Sequence, residues 1–184
     1  MANFNEAFEI LMRLEFRGAS DALHINPTED GLTFMGIYEK AHPRWPGWDK
    51  IRASLRDFKN LEYVSNLLYK DNELREMVRV FYKRVFWGKM RGDEIDSQLK
   101  ANEIFIFGVN VGMKKAIKTA QEIVGAEADG VMGEITLDAL RNFKDEDFDK
   151  AFDRAEIAYY QRIIQNNPSF RIYANGWRNR AYAV

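Results

Sequence analysis

The strongest chemical signal in this chain is a single glutamate. Phe4, Ala7, Phe8, Leu11 and Leu14 recur at helical spacing, and Glu15 falls on or beside that apolar stripe. After it, Phe16-Arg17-Gly18-Ala19-Ser20-Asp21 reads as irregular chain. A carboxyl at the inner edge of a helix end, opening into a polar loop, is partly withdrawn from water. Burial disfavours a charged carboxylate, which suits a general acid working near neutral pH. The plainer reading is a solvated glutamate, since many helices end in a charge.

The stretch that follows has the makings of a cleft-lining loop. Gly18, Gly31 and Gly36 permit close approach, and Asn26 and Thr33 offer hydrogen bonds to a polar ligand. Asp30 and Glu29, then Asp21, are the nearest carboxylates for a second acidic role. Further on, Tyr82, Phe86 and Trp87 offer ring faces to a ligand. Val78, Phe81 and Val85 make an inward stripe, so Phe81 is expected in the core and Trp87 fits either role. Arg75, Arg79, Lys83 and Arg84, with Lys89 and Arg91, form a basic cluster that reads first as a solvated helix face.

Other chemistries find no support. His24 and His42 are the only histidines and lack metal-ligand spacing. There is no cysteine, no phosphate-cradling glycine loop followed by lysine, and no nucleophile elbow beside either histidine. Neither a metal nor a cofactor is expected.

The elements that position these residues read as almost all helix. Helical patterns cover residues 5–15, 32–40, 49–58, 61–69, 73–86, 94–111, 113–124, 136–143 and 148–166, with a short piece at 168–173. Asn60, Asn72 and Thr136 stand where N-caps belong. Asn26-Pro27 and Asp30-Gly31 break the loop, Pro43 to Trp48 is rich in turn residues, and Asp129-Gly130 marks a tight turn. Ile104-Phe105-Ile106-Phe107 is apolar all round, so its helix is expected to be central and buried.

With 184 residues the chain is one large domain or two small, tightly associated ones, long enough to bury a core without staples. Its formal net charge of −1 gives no electrostatic reason to expect nucleic acid as the main partner. No apolar run approaches a membrane span. The acidic N-terminus does not read as a secretory signal.

The motifs, taken in order, are similar to those of the N-acetylmuramidases of glycoside hydrolase family 108, whose members include secretion activator proteins. Glu15 takes the position of the catalytic acid, Gly18 stands for a motif glycine, and Gly31-Leu32-Thr33-Phe34-Met35-Gly36-Ile37 matches the closing half of the N-terminal motif. The chain has Glu15-Phe16-Arg17-Gly18 where the family has Glu-Gly-Gly. Its loop is longer, and Asn26-Pro27 lacks an intervening Asp. Phe81 to Trp87 resembles the family's aromatic–basic segment. Phe107 to Gly112, Ala116, Ala120-Gln121 and Ala128-Asp129-Gly130-Val131-Met132-Gly133 resemble the start of its C-terminal segment, a predicted peptidoglycan-binding module. Tyr159-Tyr160 and Gly176-Trp177-Arg178-Asn179-Arg180 resemble its ending, where Trp177 and Arg180 are expected to dock the C-terminus.

The resemblance implies a mainly α, lysozyme-like fold with a substrate groove between N-terminal and C-terminal helices. It implies a catalytic segment at 1–92 and a helical peptidoglycan-binding-like segment at 93–184 packed against it. The implied reaction is hydrolysis of the β-1,4 bond between N-acetylmuramic acid and N-acetylglucosamine. Glu15 is then the general acid, with Asp30 as candidate second carboxylate and Thr33 positioning a water or an N-acetyl group. Gly18, Asn26, Gly31, Gly36, Tyr82 and Trp87 are the candidate substrate contacts. Peptidoglycan glycan strands are the expected partner of a monomer. The setting expected is a phage-type endolysin or secretion-associated muramidase, made in the bacterial cytoplasm and acting on the wall after release without a signal peptide.

Two other classes also fit the residues. One is a wall-binding protein that has lost turnover, because its loop departs from the family pattern. The other is a helical interaction module that uses the basic cluster on nucleic acid or protein.

Overall fold

The computed structural model describes residues 1–26 and 30–183. In chain order these form α1 (Phe4–Glu15), β1 (Leu23–Ile25), β2 (Leu32–Phe34), β3 (Ile37–Tyr38), α2 (Gly47–Asp57), α3 (Leu61–Tyr69) and α4 (Asn72–Tyr82). There follow α5 (Gln98–Val111), α6 (Met113–Val124), α7 (Glu134–Asn142), α8 (Asp145–Asn166) and α9 (Ala174–Ala181). The fold is mainly helical, as expected, and no described helix is long and apolar enough to cross a membrane.

Packing divides the chain into two compact units, Leu11–Lys83 and Met1–Ile10 together with Arg84–Val184. A division at 92/93 does not follow this packing. The first ten residues belong with the C-terminal unit, where Ala2 N donates to Ile95 O at 2.7 Å and Phe4 meets the rings of Trp87 and Phe105.

In the Leu11–Lys83 unit, α2, α3 and α4 pack on one another and α3 packs on β1 of a three-stranded antiparallel sheet of order β1-β2-β3. Residues 32–40, expected to be helical, form a hairpin instead. Phe34 pairs with Ile37 across the two-residue turn Met35-Gly36. Both turn residues have positive φ, 46° and 82°, the geometry that matches the twist of paired strands. Trp45, Trp48, Phe34 and Phe81 form an aromatic cluster beneath it. Asn60 caps α3, as expected, by accepting from Tyr63 N. The cap of α4 is Asp71 rather than Asn72, and it accepts from Leu74 N. The expected helix 73–86 is α4 followed by a π-helical turn, Lys83–Trp87.

In the other unit α5 is the central helix. Every residue from Lys100 to Gly108 is buried, and α6 and α8 pack against it. It begins at Gln98, capped by Ser97, so the expected start at 94 falls in a separate 3-10 turn, Gly92–Glu94. Lys100 is 2% exposed because its ammonium serves as a clasp. It donates to Leu140 O and Phe143 O at the end of α7 and pairs with Asp145. Thr136 lies inside α7, whose N-cap position is Gly133. Its Oγ1 accepts from Gln121 Nε2 rather than from the helix backbone. Gln121 also donates to Asp129 and accepts from Gly130 N, so the Asp129-Gly130 turn is pinned to α6. Trp177 on α9 stacks on Tyr160 with centroids 4.8 Å apart, which fits the docking role expected of it.

Candidate active site

Glu15 is the last residue of α1 and is half-buried. Its carboxylate lies against the hairpin turn. A β-carbon built on Gly36 would stand 2.5 Å from Glu15 Oε2 and 2.5 Å from the Tyr82 hydroxyl. The two oxygens are therefore no further apart than twice that distance, and both border the empty side-chain position of Gly36. Glycine is required here twice over, by the positive φ and by the carboxylate and phenol that occupy the side-chain space.

The turn is held from both sides. Met35 N donates to Ala22 O at 2.7 Å, and Met35 O accepts from the Tyr82 hydroxyl at 2.9 Å. Met35 is a non-glycine residue at φ 46°, a left-handed conformation that costs an L-residue roughly 1–2 kcal/mol. Its side chain is 3% exposed, so core packing and the two backbone bonds hold the strained turn in place. Tyr82, at 1% exposed, is a wall of the site and not a stacking platform.

The loop after α1 is built by Asp21. Its carboxylate accepts from Arg17 N at 3.0 Å and Gly18 N at 2.8 Å, which gives it a structural task. Ser65 on α3 fixes the next stretch, donating to Ala19 O and accepting from Leu23 N. His24 Nδ1 lies 2.7 Å from Asp21 O. Thr33 is buried on β2, and among the described residues its Oγ1 has no hydrogen-bond partner. Such an orphaned hydroxyl costs free energy unless it serves something outside the chain.

The candidates thus separate. Glu15, Gly36 and Tyr82 are brought together. Asp30 is exposed and ion-paired with Lys40, whose ammonium holds its carboxyl below the usual carboxylate range. Gly31 lies under Tyr38, whose ring carbon would be 3.0 Å from an added β-carbon. Gly18 sits in the Asp21-built loop and Asn26 at the end of β1, while Pro27 and Glu29 lie outside the described residues.

Trp87 requires correction. It is 0% exposed, wedged between Phe4 and Phe105 with its indole N–H donating to Asp93, so it has no face to offer a sugar. Arg79 and Arg91 of the basic cluster are paired with Glu76 and with Glu94 and Glu134, as expected of a solvated face. Met35 and Ser65 were not foreseen as parts of the site, and Asp21, weighed as a second carboxylate, builds the loop instead. The signal for Met35 was a two-residue gap between short apolar runs with glycine in its second place.

A glycosyl hydrolase 108 domain matches residues 26–112, and a predicted peptidoglycan domain matches residues 115–182. The first match includes Thr33, Gly36 and Tyr82 and begins after Glu15. No curated protein matches the chain. The solved structure of Brucella abortus SagA is similar, with 21% sequence identity, a TM-score of 0.67, and coverage of 97% of this chain and 89% of that one. At that identity the likeness is one of fold. This chain is therefore a glycoside hydrolase, with an N-terminal glycosyl hydrolase 108 domain and a C-terminal predicted peptidoglycan domain.

Proposed function

We propose that the protein cleaves the β-1,4 bond between N-acetylmuramic acid and N-acetylglucosamine in peptidoglycan, with Glu15 as the general acid. The observation that carries this reading is the seating of the Glu15 carboxylate. It is half-exposed at a helix end and fixed against the Met35-Gly36 turn beside the buried Tyr82 hydroxyl. A proton donor to a glycosidic oxygen must be both reachable and held still, because misplacement by an ångström removes much of its effect. Glu15 is half-exposed, and the Met35-Gly36 turn and the Tyr82 hydroxyl border its carboxylate.

Thr33 supplies the second polar group. Its hydroxyl, buried and without a hydrogen-bond partner among the described residues, is suited to hold a water rather than to touch the sugar itself. Asp30, kept ionised by Lys40, is the described carboxylate we assign to stabilising positive charge on the ring. The predicted peptidoglycan domain supports retention on the same polymer. The biological setting that fits is lysis or local opening of a bacterial wall, as by an endolysin or a secretion-associated muramidase.

The test is digestion of purified sacculi, with soluble products reduced, separated and weighed. Muramic acid at the new reducing ends is the expected result. Glucosamine at those ends would make the enzyme a glucosaminidase. Sedimentation with sacculi and no soluble product would leave a wall-binding protein.

A further inference from the structure

In the C-terminal unit, α5 and α8 bury a group of carboxylates that the proposed reaction does not use. Oxygens of Glu103, Asp149 and Asp153 all lie within 4.8 Å of one another. Asp149 and Asp153 are four residues apart on α8, hence on one face, and Glu103 reaches them from α5. Glu103 is 2% exposed, whereas Asp149 and Asp153 are half-buried and leave a way in from solvent.

A second observation shows that this group is incomplete. Glu156, one turn further along α8, is 1% exposed. Its Oε2 has no hydrogen-bond partner among the described residues, and neither has Glu103 Oε1 or Asp153 Oδ1. Burial is the main force raising Glu103, to about 10. The charge of Glu156 comes next, ahead of Asp153 and Asp149, so Glu156 bears on the same cluster. Burial likewise raises Glu156 to about 8, opposed by the charge of Arg180. Among the described residues, no positive charge acts on Glu103 to offset the negative charges around it. Lys100, on the same helix, is occupied by α7 and Asp145.

Several buried oxygens without donors, all of one sign, call for a cation. The donor set is all oxygen, with no imidazole or thiolate, which selects a hard ion. Oxygens about 2.3–2.6 Å from a common centre, the calcium range, fit within that spacing, and the flexible shell of calcium suits carboxylates fixed on two helices better than the near-ideal octahedron magnesium demands.

We propose that Glu103, Asp149 and Asp153, backed by Glu156, bind one calcium ion that ties α5 to α8. The ion neutralises the cluster, takes up the orphaned oxygens of Glu103 and Asp153, and makes the stability of this unit depend on calcium.

The test is thermal unfolding of the full chain after chelation, with and without added calcium chloride. At a hundredfold excess over Kd, a single site raises Tm by roughly 5–11 °C for a chain of this size. Glu103→Gln and Asp149→Asn should both abolish the calcium-induced shift, while Glu146→Gln, on an exposed residue outside the cluster, should keep it. Asp149 is half-buried, so that variant keeps the test valid if Glu103→Gln fails to fold. Absence of any shift in the wild type overturns the proposal and means that protons neutralise the cluster. A shift that survives Asp149→Asn also overturns it, by placing the ion elsewhere.

Discussion

Replacing Gly36 by alanine separates the catalytic importance of the turn from its contribution to stability. The new methyl would lie 2.5 Å from Glu15 Oε2, 2.8 Å from its carboxyl carbon and 2.5 Å from the Tyr82 oxygen. Real β-carbons essentially never come within 3.0 Å of another heavy atom, so something must move by about half an ångström or more. Tyr82 is buried and tied to Met35 O, which leaves the half-exposed Glu15 side chain as the part that yields. The left-handed φ costs alanine roughly 1–2 kcal/mol, and an off-rotamer Glu15 adds about 0.5–1.5 kcal/mol. Together they lower Tm by roughly 3–14 °C. Displacing the acid should reduce turnover about 100-fold. Gly125→Ala is the control, because Gly125 has φ 74° and nothing within 4 Å of an added β-carbon. It should show the backbone cost with full activity. Turnover and Tm are measured on sacculi and by calorimetry for both variants. A Gly36→Ala protein that is destabilised yet digests sacculi within about threefold of wild type would refute the idea that the turn positions the reacting carboxyl.

Further outcomes follow from the same geometry. Thr33→Val removes a buried hydroxyl that has no partner among the described residues, so it should raise stability by up to about 1–2 kcal/mol while lowering turnover; calorimetry and product release read the two effects. Tyr82→Phe strips the donor from the buried Met35 carbonyl and should cost about 1–3 kcal/mol, with a smaller loss of turnover than any change at Glu15. Asp71 caps α4 and pairs with Lys50, and its carboxyl is held below the ordinary value of 3.8, chiefly by the Leu74 N–H. Its contribution is therefore present above that value and lost as pH falls through the lower folded one. Asp71→Asn should be less stable by under about 1 kcal/mol at neutral pH and match wild type in strong acid, as judged from unfolding free energies across the acid range.

Much of the helical frame was legible because long apolar periodicities survive tertiary context. The Ile104 to Phe107 run marked α5 as central, and the stripe from Phe4 to Leu14 put Glu15 at a helix end. The hairpin at Leu32–Tyr38 was not legible. Its strands are two or three residues long, too short for alternation to show, and Met35 in the left-handed place hides a turn usually signalled by Asn-Gly. Trp87 was ambiguous because an aromatic beside basic residues reads alike whether it faces solvent or core. Its burial depends on Phe4 and Phe105, which sequence spacing does not connect to it. Asp71 outcompeted Asn72 as a cap, and the two differ by one position, finer than periodicity resolves. The buried acids of α8 were invisible for the same reason: Asp149 and Asp153 look like any polar face until α5 brings Glu103 against them.

The proposed reaction depends above all on Glu15 delivering the proton. The most direct measurement is the initial rate of muropeptide release by wild type and Glu15→Gln, alongside Tm and sedimentation with sacculi. A loss of roughly 100- to 10,000-fold is expected, with folding and binding to the wall unchanged. A Glu15→Gln protein that folds, binds and releases products within a few-fold of wild type would contradict that role.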